Sequence, residues 1–359
     1  MAKVRKRIIS MFLMSIKHIV KLFTMFAKTK SMKGSKIIIV FLLLFISITG
    51  FSQDKDYFSL FYGRTFYKPF VCEISSTLSN ISVGAVKNTL PNGMSNNTAF
   101  TEVHLGADIP ILYGEQNKFN WALSIPVSMH MLWATFEETT APIVNTDYRF
   151  GLSFTGITYL NHSFLKNISF KVTPIAHEST HIGDELAIYG FQNIADFYRV
   201  NVSYEYYELG ITFNDPDTIT SNLLSVRIGL MGLINPTKGY YSFFENEIGD
   251  KQVYPSKRWA EYYIELNYSK TTGFLTSKTW HPSISVELRN RVRYEYENED
   301  KSAREWCINA FIGYDYVPKR TKVIKSVGNY FRFYSGINPH GQLRNMDYRF
   351  IGYSIILFY

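Results

Sequence analysis

The chain has 359 residues, of which 38 are Lys or Arg, 30 are Asp or Glu, and 16% are aromatic. Ten basic residues and no acidic residue precede Gln53, so residues 53–359 carry 28 basic and 30 acidic residues, a net charge of −2. The positive charge of the whole chain therefore belongs to its first part and is no argument for nucleic-acid binding. We predict no nucleic-acid partner.

The first element along the chain has the pattern of a secretion signal. Two lysines precede an apolar run at residues 37–48, and small residues follow it before Gln53. The run is shorter than the roughly 20 residues of a membrane-spanning helix, which argues against an uncleaved anchor. We predict a leader at residues 1–52. Met32 is an alternative start, and with it residues 1–31 would not be translated.

Residues 53–359 form one predicted domain without linkers or repeats, and they alternate with a period of two. Near its C-terminal part, for example, Ile284 and Val286 face one way while Ser285 and Glu287 face the other. About twelve segments alternate in this way, near residues 70–83, 99–112, 118–133, 146–160, 168–178, 198–213, 223–234, 259–270, 281–297, 304–316, 327–337 and 347–359.

This alternation predicts an all-β fold, an antiparallel transmembrane β-barrel of about 12 strands. The apolar faces would meet lipid and the polar faces a wet lumen. A soluble sandwich explains a single such strand, but it does not explain the repetition, with aromatic residues at the ends of the apolar faces. The last segment stops on aromatic Tyr359. We therefore predict the outer membrane of a Gram-negative bacterium as the location and the lipid bilayer as the partner, with the oligomeric state left open.

The chain has two cysteines, Cys72 and Cys307. The predicted segments place them on strands that are not neighbours and on opposite faces. We therefore predict no disulfide, although an oxidising compartment would permit one. Their separation is not that of a cysteine metal site.

One cluster with catalytic potential lies at the outer end of the fifth segment. His177 and Ser179 are two residues apart on a strand and therefore share a face. A serine nucleophile needs a neighbouring base and a carboxylate that orients the base, for which Asp184, Glu185 and Glu205 are candidates. One hypothesis is a lipid or ester hydrolase with Ser179 as nucleophile and His177 as base. The alternative is a hydrogen-bonded polar plug under a loop.

The alternation also predicts where this pair points. Ser169 and Thr173 share a face with His177 and Ser179, which directs the pair into the lumen. Only a bulge near Pro174 would reverse the direction.

A divalent metal is the one cofactor that the sequence suggests. His177 and His181 with Asp184 or Glu185 are ligands that Zn²⁺ accepts, and the carboxylates alone suit Ca²⁺. The four-residue spacing of the histidines fits zinc best on a helix, whereas this segment is a predicted strand. His104 is interpreted as an ordinary lumen histidine.

A charged ladder lies on the ninth segment. Its members are Glu287, Arg289, Arg291, Arg293 and Glu295, with Glu261 and Glu265 on the adjacent strand. Such a ladder lines a selective path for anions or forms an internal network of ion pairs, and a barrel of about twelve strands is small enough to favour the network.

Two resemblances rest on these residues. The pair His177-x-Ser179 is similar to one that outer-membrane phospholipase A and lipid A deacylase carry on a strand facing lipid, which implies lipid hydrolysis. The string His177-x-Ser179-x-His181-x-Gly183-Asp184-Glu185, with Asn338-Pro339-x-Gly341-Gln342 before the last segment, resembles the bacterial family catalogued as domain of unknown function 1207. That likeness covers residues 66–359 and implies an outer-membrane barrel without an assigned activity.

Together the patterns predict an outer-membrane barrel with a largely filled polar lumen, which serves as a narrow channel or a surface scaffold. The first alternative is a hydrolase that uses Ser179 and His177. The second is a metal-binding barrel that uses His177, His181 and Asp184.

Overall fold

A computed structural model describes the part of the chain that forms the predicted barrel. The described residues are 57–60, 65–88, 99–116, 119–134, 143–160, 162–182, 202–216, 222–234, 253–254, 260–272, 275–277, 279–292, 295–296, 304–318, 325–344 and 347–358. Most of them lie in strands. No helix in these ranges is both long and apolar enough to cross a membrane.

Twelve antiparallel strands form a closed barrel, which confirms the predicted fold class. Each strand pairs with the next along the chain, and the last pairs with the first. The strands are β1 Ser79–Asn88, β2 Ala99–Gln116, β3 Phe119–Ala134, β4 Ile143–Tyr159, β5 Asn167–Ile182, β6 Val202–Phe213, β7 Leu224–Leu233, β8 Ala260–Ser269, β9 Trp280–Val292, β10 Arg304–Tyr316, β11 Ser326–Ile337 and β12 Asp347–Phe358.

Four short elements accompany the barrel in the described part of the chain. A strand at Tyr57–Leu60 pairs with β2, and its Tyr57 lies opposite Glu115. The two-residue strands Val253–Tyr254 and Glu295–Tyr296 pair with each other, and a 3-10 turn forms at Gly341–Leu343.

The wall has an apolar outer face and a charged inner face. On β8, Tyr262 and Ile264 are 52% and 43% exposed, whereas Glu261 and Glu265 are almost fully buried. Other large apolar side chains on the outer face are Ile81, Leu105, Ile109, Ile211, Ile228, Ile284, Ile312, Phe331 and Ile351. A closed barrel with an apolar exterior and a polar interior is an outer-membrane protein. Membrane lipid therefore surrounds the strands.

The first predicted segment, 70–83, is wrong in its first half, because the barrel strand begins only at Ser79. Residues 65–78, here called the lumen segment, run inside the barrel. The N–H of Phe66 donates to Thr155 Oγ1 on β4 at 3.2 Å, and the N–H of Ile74 donates to Glu287 Oε2 on β9 at 3.0 Å. Because these partners lie on separate parts of the wall, the lumen segment crosses the interior.

The lumen segment cannot continue as a barrel strand because it turns on itself. The N–H of Glu73 donates to the carbonyl of Phe70, and the N–H of Ser76 donates to the carbonyl of Glu73. Pro69 has no N–H for a strand ladder. The segment instead packs apolar rings against the inner wall, where Phe66 and Phe70 are each 1% exposed.

Residues 338–344, here called the inner loop, fill the barrel where β11 ends and β12 begins. Asn338, His340 and Leu343 have no exposed surface. The N–H of Gly341 donates to Asp147 Oδ1 at 3.1 Å, and Arg344 Nε donates to the carbonyl of Val292 at 3.0 Å. The loop therefore folds back between strands instead of projecting from the barrel.

The predicted placement of the cysteines is only half right. Cys307 lies on β10, but Cys72 lies in the lumen segment and not on a strand. Both are buried free thiols. The N–H of Cys72 donates to Ser285 Oγ, and its carbonyl accepts from Asn309 Nδ2 at 2.8 Å.

Candidate functional site

A bulge in β5 changes the direction of the predicted catalytic pair. Relative to β4, Leu152 pairs with Ile175 and Phe154 pairs with Val172, so β5 contains one extra residue at this point. The same extra residue appears against β6. An insertion of one residue moves every later side chain to the other face of the strand. The site is next to Pro174, whose ring nitrogen carries no N–H for the ladder.

The side chains follow this change of face. Below the bulge, Ser169 and Thr173 are buried in the lumen, as predicted. Above it, the buried residues are Ala176, Glu178 and Thr180, and Glu178 binds the lumen residue Arg149 at 2.8 Å. The prediction that His177 and Ser179 point into the lumen is therefore wrong, and both lie on the outer face.

On the outer face, His177 lies between two residues of β6. Its Nε2 is 3.4 Å from Ser203 Oγ, and its Nδ1 is 3.5 Å from Glu205 Oε1. The ring of Phe150 lies 5.2 Å away on the β4 side. Because His177 pairs with Glu205 across the strands, this contact follows from the register. The result is a hydroxyl, an imidazole and a carboxylate in one row.

The predicted pairing of Ser179 with His177 does not form. Ser179 Oγ instead lies 3.3 Å from His181 Nε2, and Ser203 takes the position next to His177. The other two predicted orienting residues, Asp184 and Glu185, lie outside the described residues, whereas Glu205 is in place.

The predicted metal set does not converge either. His177 and His181 are four residues apart on an extended strand, a separation of about 13 Å along it. Two ligands of one zinc ion lie only about 3.3 Å apart. The strand at Asn167–Ile182 therefore keeps the two rings too far apart to share an ion. Asp184, the third member, lies outside the described residues.

The charged ladder on β9 has the geometry of an internal ion-pair network. Glu287, Arg289 and Arg291 are buried, and Arg289 contacts Glu287 directly through its Nε. Glu261 Oε2 lies 3.7 Å from Arg289 Nη1, and Glu261 Oε1 lies 3.5 Å from Arg291 Nε. Arg293 and the side chain of Glu295 lie outside the described part.

A second group of ion pairs, absent from the sequence prediction, attaches the lumen segment. Arg227 Nη1 on β7 lies 2.8 Å from Glu73 Oε2 and 3.2 Å from Glu265 Oε2. Its guanidinium also lies 3.8 Å from the ring of Tyr67 and 4.1 Å from that of Phe70. One arginine thus holds both charged and aromatic groups of the lumen segment.

A third group gathers histidines from three separate elements. His104 on β2 and His130 on β3 stack with ring centroids 5.1 Å apart, and His340 of the inner loop lies 4.5 Å from His130. Glu102 Oε2 is 3.3 Å from His130 Nε2, and Asp147 Oδ2 is 3.8 Å from His340 Nδ1. The group, here called the histidine cluster, is fully inside the barrel. The sequence predicts only that His104 is an ordinary lumen residue, because the cluster joins residues far apart in the chain.

Comparison with known proteins assigns no family and finds only distant structural neighbours. No family model matches the chain, and no curated protein matches it, so the predicted family resemblance remains a prediction. Among solved structures, outer membrane phospholipase from Salmonella typhi, a dimer with bound calcium, is 12% identical with a TM-score of 0.43, covering 78% of this chain and 90% of that chain.

Two further solved structures are similar to this chain at a comparably low level. An active-site mutant of outer membrane phospholipase A from Escherichia coli is 12% identical with a TM-score of 0.44, covering 87% of this chain and 96% of that chain. A FadL homologue from Pseudomonas aeruginosa is 9% identical with a TM-score of 0.33, covering 78% and 87%. Likeness at this level carries no argument about the fold, the activity or the partners of this chain.

Proposed function

We propose that this outer-membrane barrel is a non-conducting scaffold, because its own chain fills its lumen. The observation that carries the proposal is the lumen segment, which is attached to the wall through Arg227 and Glu287. Next to the segment, between Tyr67 and Lys171, the remaining cavity is about 30 Å³. That space holds about two water molecules. A hydrated ion has no room to pass there.

Beyond the lumen segment the interior widens into a vestibule. This cavity of about 860 Å³ is lined by residues of both signs, among them Lys68, Asp108 and Lys325. It lies at the end of the barrel where the short turn after Tyr159 connects β4 to β5. With charges of both signs in its lining, it fits a solvent-filled mouth better than a selective pore.

Planar-bilayer recording tests this proposal. The purified barrel is expected to give no steady single-channel conductance. A variant in which residues 65–78 are replaced by a Gly/Ser linker is expected to conduct, and Ile211→Ala, a change on the outer face, serves as the silent control. Steady conductance by the wild type, with an ion selectivity that Arg291→Glu alters, would instead establish a narrow channel.

A second function is favoured by the outer row of Ser203, His177 and Glu205. Activation of a serine needs a base within hydrogen-bond reach and a carboxylate behind that base, and contacts in unliganded enzymes are often slightly long. The row lies on the lipid-facing wall, so its substrate class would be the acyl esters of membrane lipids. In this hypothesis the nucleophile is Ser203, in place of Ser179.

The proposed reaction is a two-step ester hydrolysis. Ser203 Oγ would attack the ester carbonyl while His177 Nε2 takes its proton, and the lipid alcohol would leave with that proton. Water would then cleave the acyl-serine ester, with His177 again as base, to release the fatty acid and restore Ser203. Glu205 would hold the imidazole and stabilise its charged form.

Two matched serine variants test the hydrolase hypothesis. Ser203→Ala is expected to abolish release of fatty acid from phospholipid in mixed micelles. Ser179→Ala, the neighbouring hydroxyl on β5, is expected to retain it. Equal silence of the wild type and both variants on phospholipid and lipid A would remove the hypothesis, and loss through Ser179→Ala alone would assign the role to the pair predicted from sequence.

A further inference from the structure

We propose that the histidine cluster is a transition-metal site, best suited to Zn²⁺, that binds the inner loop to the barrel wall. Its ligands are Glu102 on β2, His130 on β3 and His340 of the inner loop. One ligand atom from each lies within 4.8 Å of the other two, and all three residues are buried. The site shares no residue with the outer row or with the metal set predicted from sequence.

Two of the distances match those between neighbouring ligands of a tetrahedral ion. Zinc binds imidazole nitrogen and carboxylate oxygen at about 2.0–2.2 Å, which places neighbouring ligands about 3.3–3.6 Å apart. His130 Nε2 lies 3.3 Å from Glu102 Oε2, and His340 Nε2 lies 3.6 Å from Glu102 Oε1. Two histidines and one carboxylate are a ligand set of catalytic zinc sites, which leave a fourth position open.

The unsatisfied nitrogens of His340 point to a ligand. The residue has no exposed surface, and among the described residues neither of its ring nitrogens has a hydrogen-bond partner. Burying such polar atoms without a partner costs free energy, so each case requires an explanation. A metal ion on Nε2 supplies one for the nitrogen that faces Glu102.

The other nitrogen of His340 has the environment of a metal-bound histidine. Its Nδ1 faces Asp147 Oδ2 at 3.8 Å. Histidines that bind metals through one nitrogen usually direct the other N–H to a carboxylate, which fixes the ring orientation. Asp147 is itself held, since it accepts the N–H of Gly341 at 3.1 Å. Asp147 is thus a positioning residue for the ligand His340.

Glu102 is held in the same way. Tyr348 donates to Glu102 Oε1 at 2.6 Å, and Arg332 binds its Oε2. These contacts fix the orientation of the Glu102 carboxylate. A carboxylate has about four acceptor positions, so one arginine and one tyrosine leave room for an ion.

The inner loop packs closely against the barrel wall at Gly341, where a side chain would have little room. A Cβ at Gly341 would lie 2.8 Å from Thr180 Cγ2 and 3.0 Å from Asp147 Oδ1. The loop backbone therefore approaches the wall closely enough to bring His340 next to His130. The proposed ion would link β2, β3 and the inner loop.

Metal content and spectroscopy test the site. The folded barrel in detergent is stripped with EDTA, loaded with Zn²⁺ and dialysed against metal-free buffer. We expect about one retained zinc per chain. Loading with Co²⁺ is expected to give the intense visible absorption of a tetrahedral centre.

Matched histidine variants locate the site. His340→Gln and His130→Gln are expected to weaken binding by more than the roughly 10- to 100-fold that loss of an orienting residue costs. Two control variants are expected to retain the metal. They are His281→Gln, at a buried histidine near the start of β9, and His177→Gln, on the outer face. Folding of each variant is verified by its heat-modifiable migration on gels.

Three results would overturn the proposal. They are a folded wild type that retains no zinc, cluster variants that retain it like the wild type, and loss of zinc through His177→Gln. If the cluster variants do not fold, X-ray absorption of the zinc-loaded wild type decides. A shell with about two imidazoles and a carboxylate supports the site, and a shell without histidine overturns it.

Discussion

Arg227 on the wall and Glu73 in the lumen segment form a buried ion pair at 2.8 Å. The pair joins residues 154 positions apart in the chain, and it connects the wall of the barrel to its contents. Arg227 has no exposed surface and also forms an ion pair with Glu265. Its single charge is therefore shared by two buried carboxylates.

Removal of this arginine is expected to destabilise the barrel strongly. Arg227→Met leaves Glu73 and Glu265 buried without their cation, and loss of one partner of a buried pair costs about 3–5 kcal/mol. Urea unfolding in detergent, followed by tryptophan fluorescence, measures the change. Glu205→Gln, which removes half of an exposed contact, is the control, with an expected cost of about 0–1 kcal/mol. Equal effects of the two changes would contradict the role of Arg227.

The bulge in β5 predicts which side chains meet lipid. In a background with Cys72→Ala and Cys307→Ala, single cysteines are introduced at Ser169, Phe170, Ser179 and Thr180 and labelled with a fluorophore. Spin-labelled lipid is expected to quench labels at Phe170 and Ser179, because the outward face changes from even to odd numbers across Pro174. Quenching at Thr180 instead of Ser179 would mean that β5 runs without the extra residue.

The two natural thiols are expected to be silent in the folded protein. Both side chains are buried, and burial, together with the carboxylates of Glu265 and Glu287, raises the pKa of the Cys72 thiol well above its usual range. Because the reactive species is the thiolate, maleimide at pH 8 is expected to label neither cysteine before denaturation and both afterwards. Fast labelling of the native barrel would show that the lumen segment opens.

The leader is expected to be removed before Gln53. Intact-mass measurement of the barrel isolated from outer membranes tests this boundary, and expression from Met32 alone should give the same mature mass. A mass that includes residues 1–52 would support the anchor that the short apolar run argues against.

The barrel itself was predictable because the two faces of each strand lie in different environments. Lipid selects apolar side chains on one face and the packed polar lumen selects charges on the other, so residues such as Ile284 and Glu287 reveal both faces in sequence. The same reasoning placed Glu287 and Arg289 inside, next to Glu261. These are local properties of single strands and neighbouring pairs.

The contents of the barrel were not predictable from the same signal. Phe70, Cys72 and Ile74 alternate like a strand, yet they belong to a segment that is surrounded by wall on every side. An apolar pattern does not distinguish a lipid neighbour from a protein neighbour. The fold-back of the inner loop, which brings His340 to His130, depends on contacts between residues far apart in sequence.

The outer row shows a limit of another kind. A single extra residue beside Pro174 reverses the faces of all later positions in β5. The proline is the one feature of the sequence that indicates this bulge. The contact of His177 with Glu205 follows from strand register, which was open, so Glu205 was one of several candidates. Ser203 carries no local signal in sequence, because it lies on the neighbouring strand and not in the His-x-Ser motif.

The strand at Tyr57–Leu60 and strand β1 enter the same sheet on either side of the lumen segment, and both pair with β2. The segment is thus anchored to the barrel wall by strand pairing both before and after it crosses the interior. Because strands hold it at both ends, the segment cannot leave the barrel by sliding out. It has to be enclosed when β12 pairs with β1 to close the barrel. Assembly of the cylinder and loading of its interior are therefore one event.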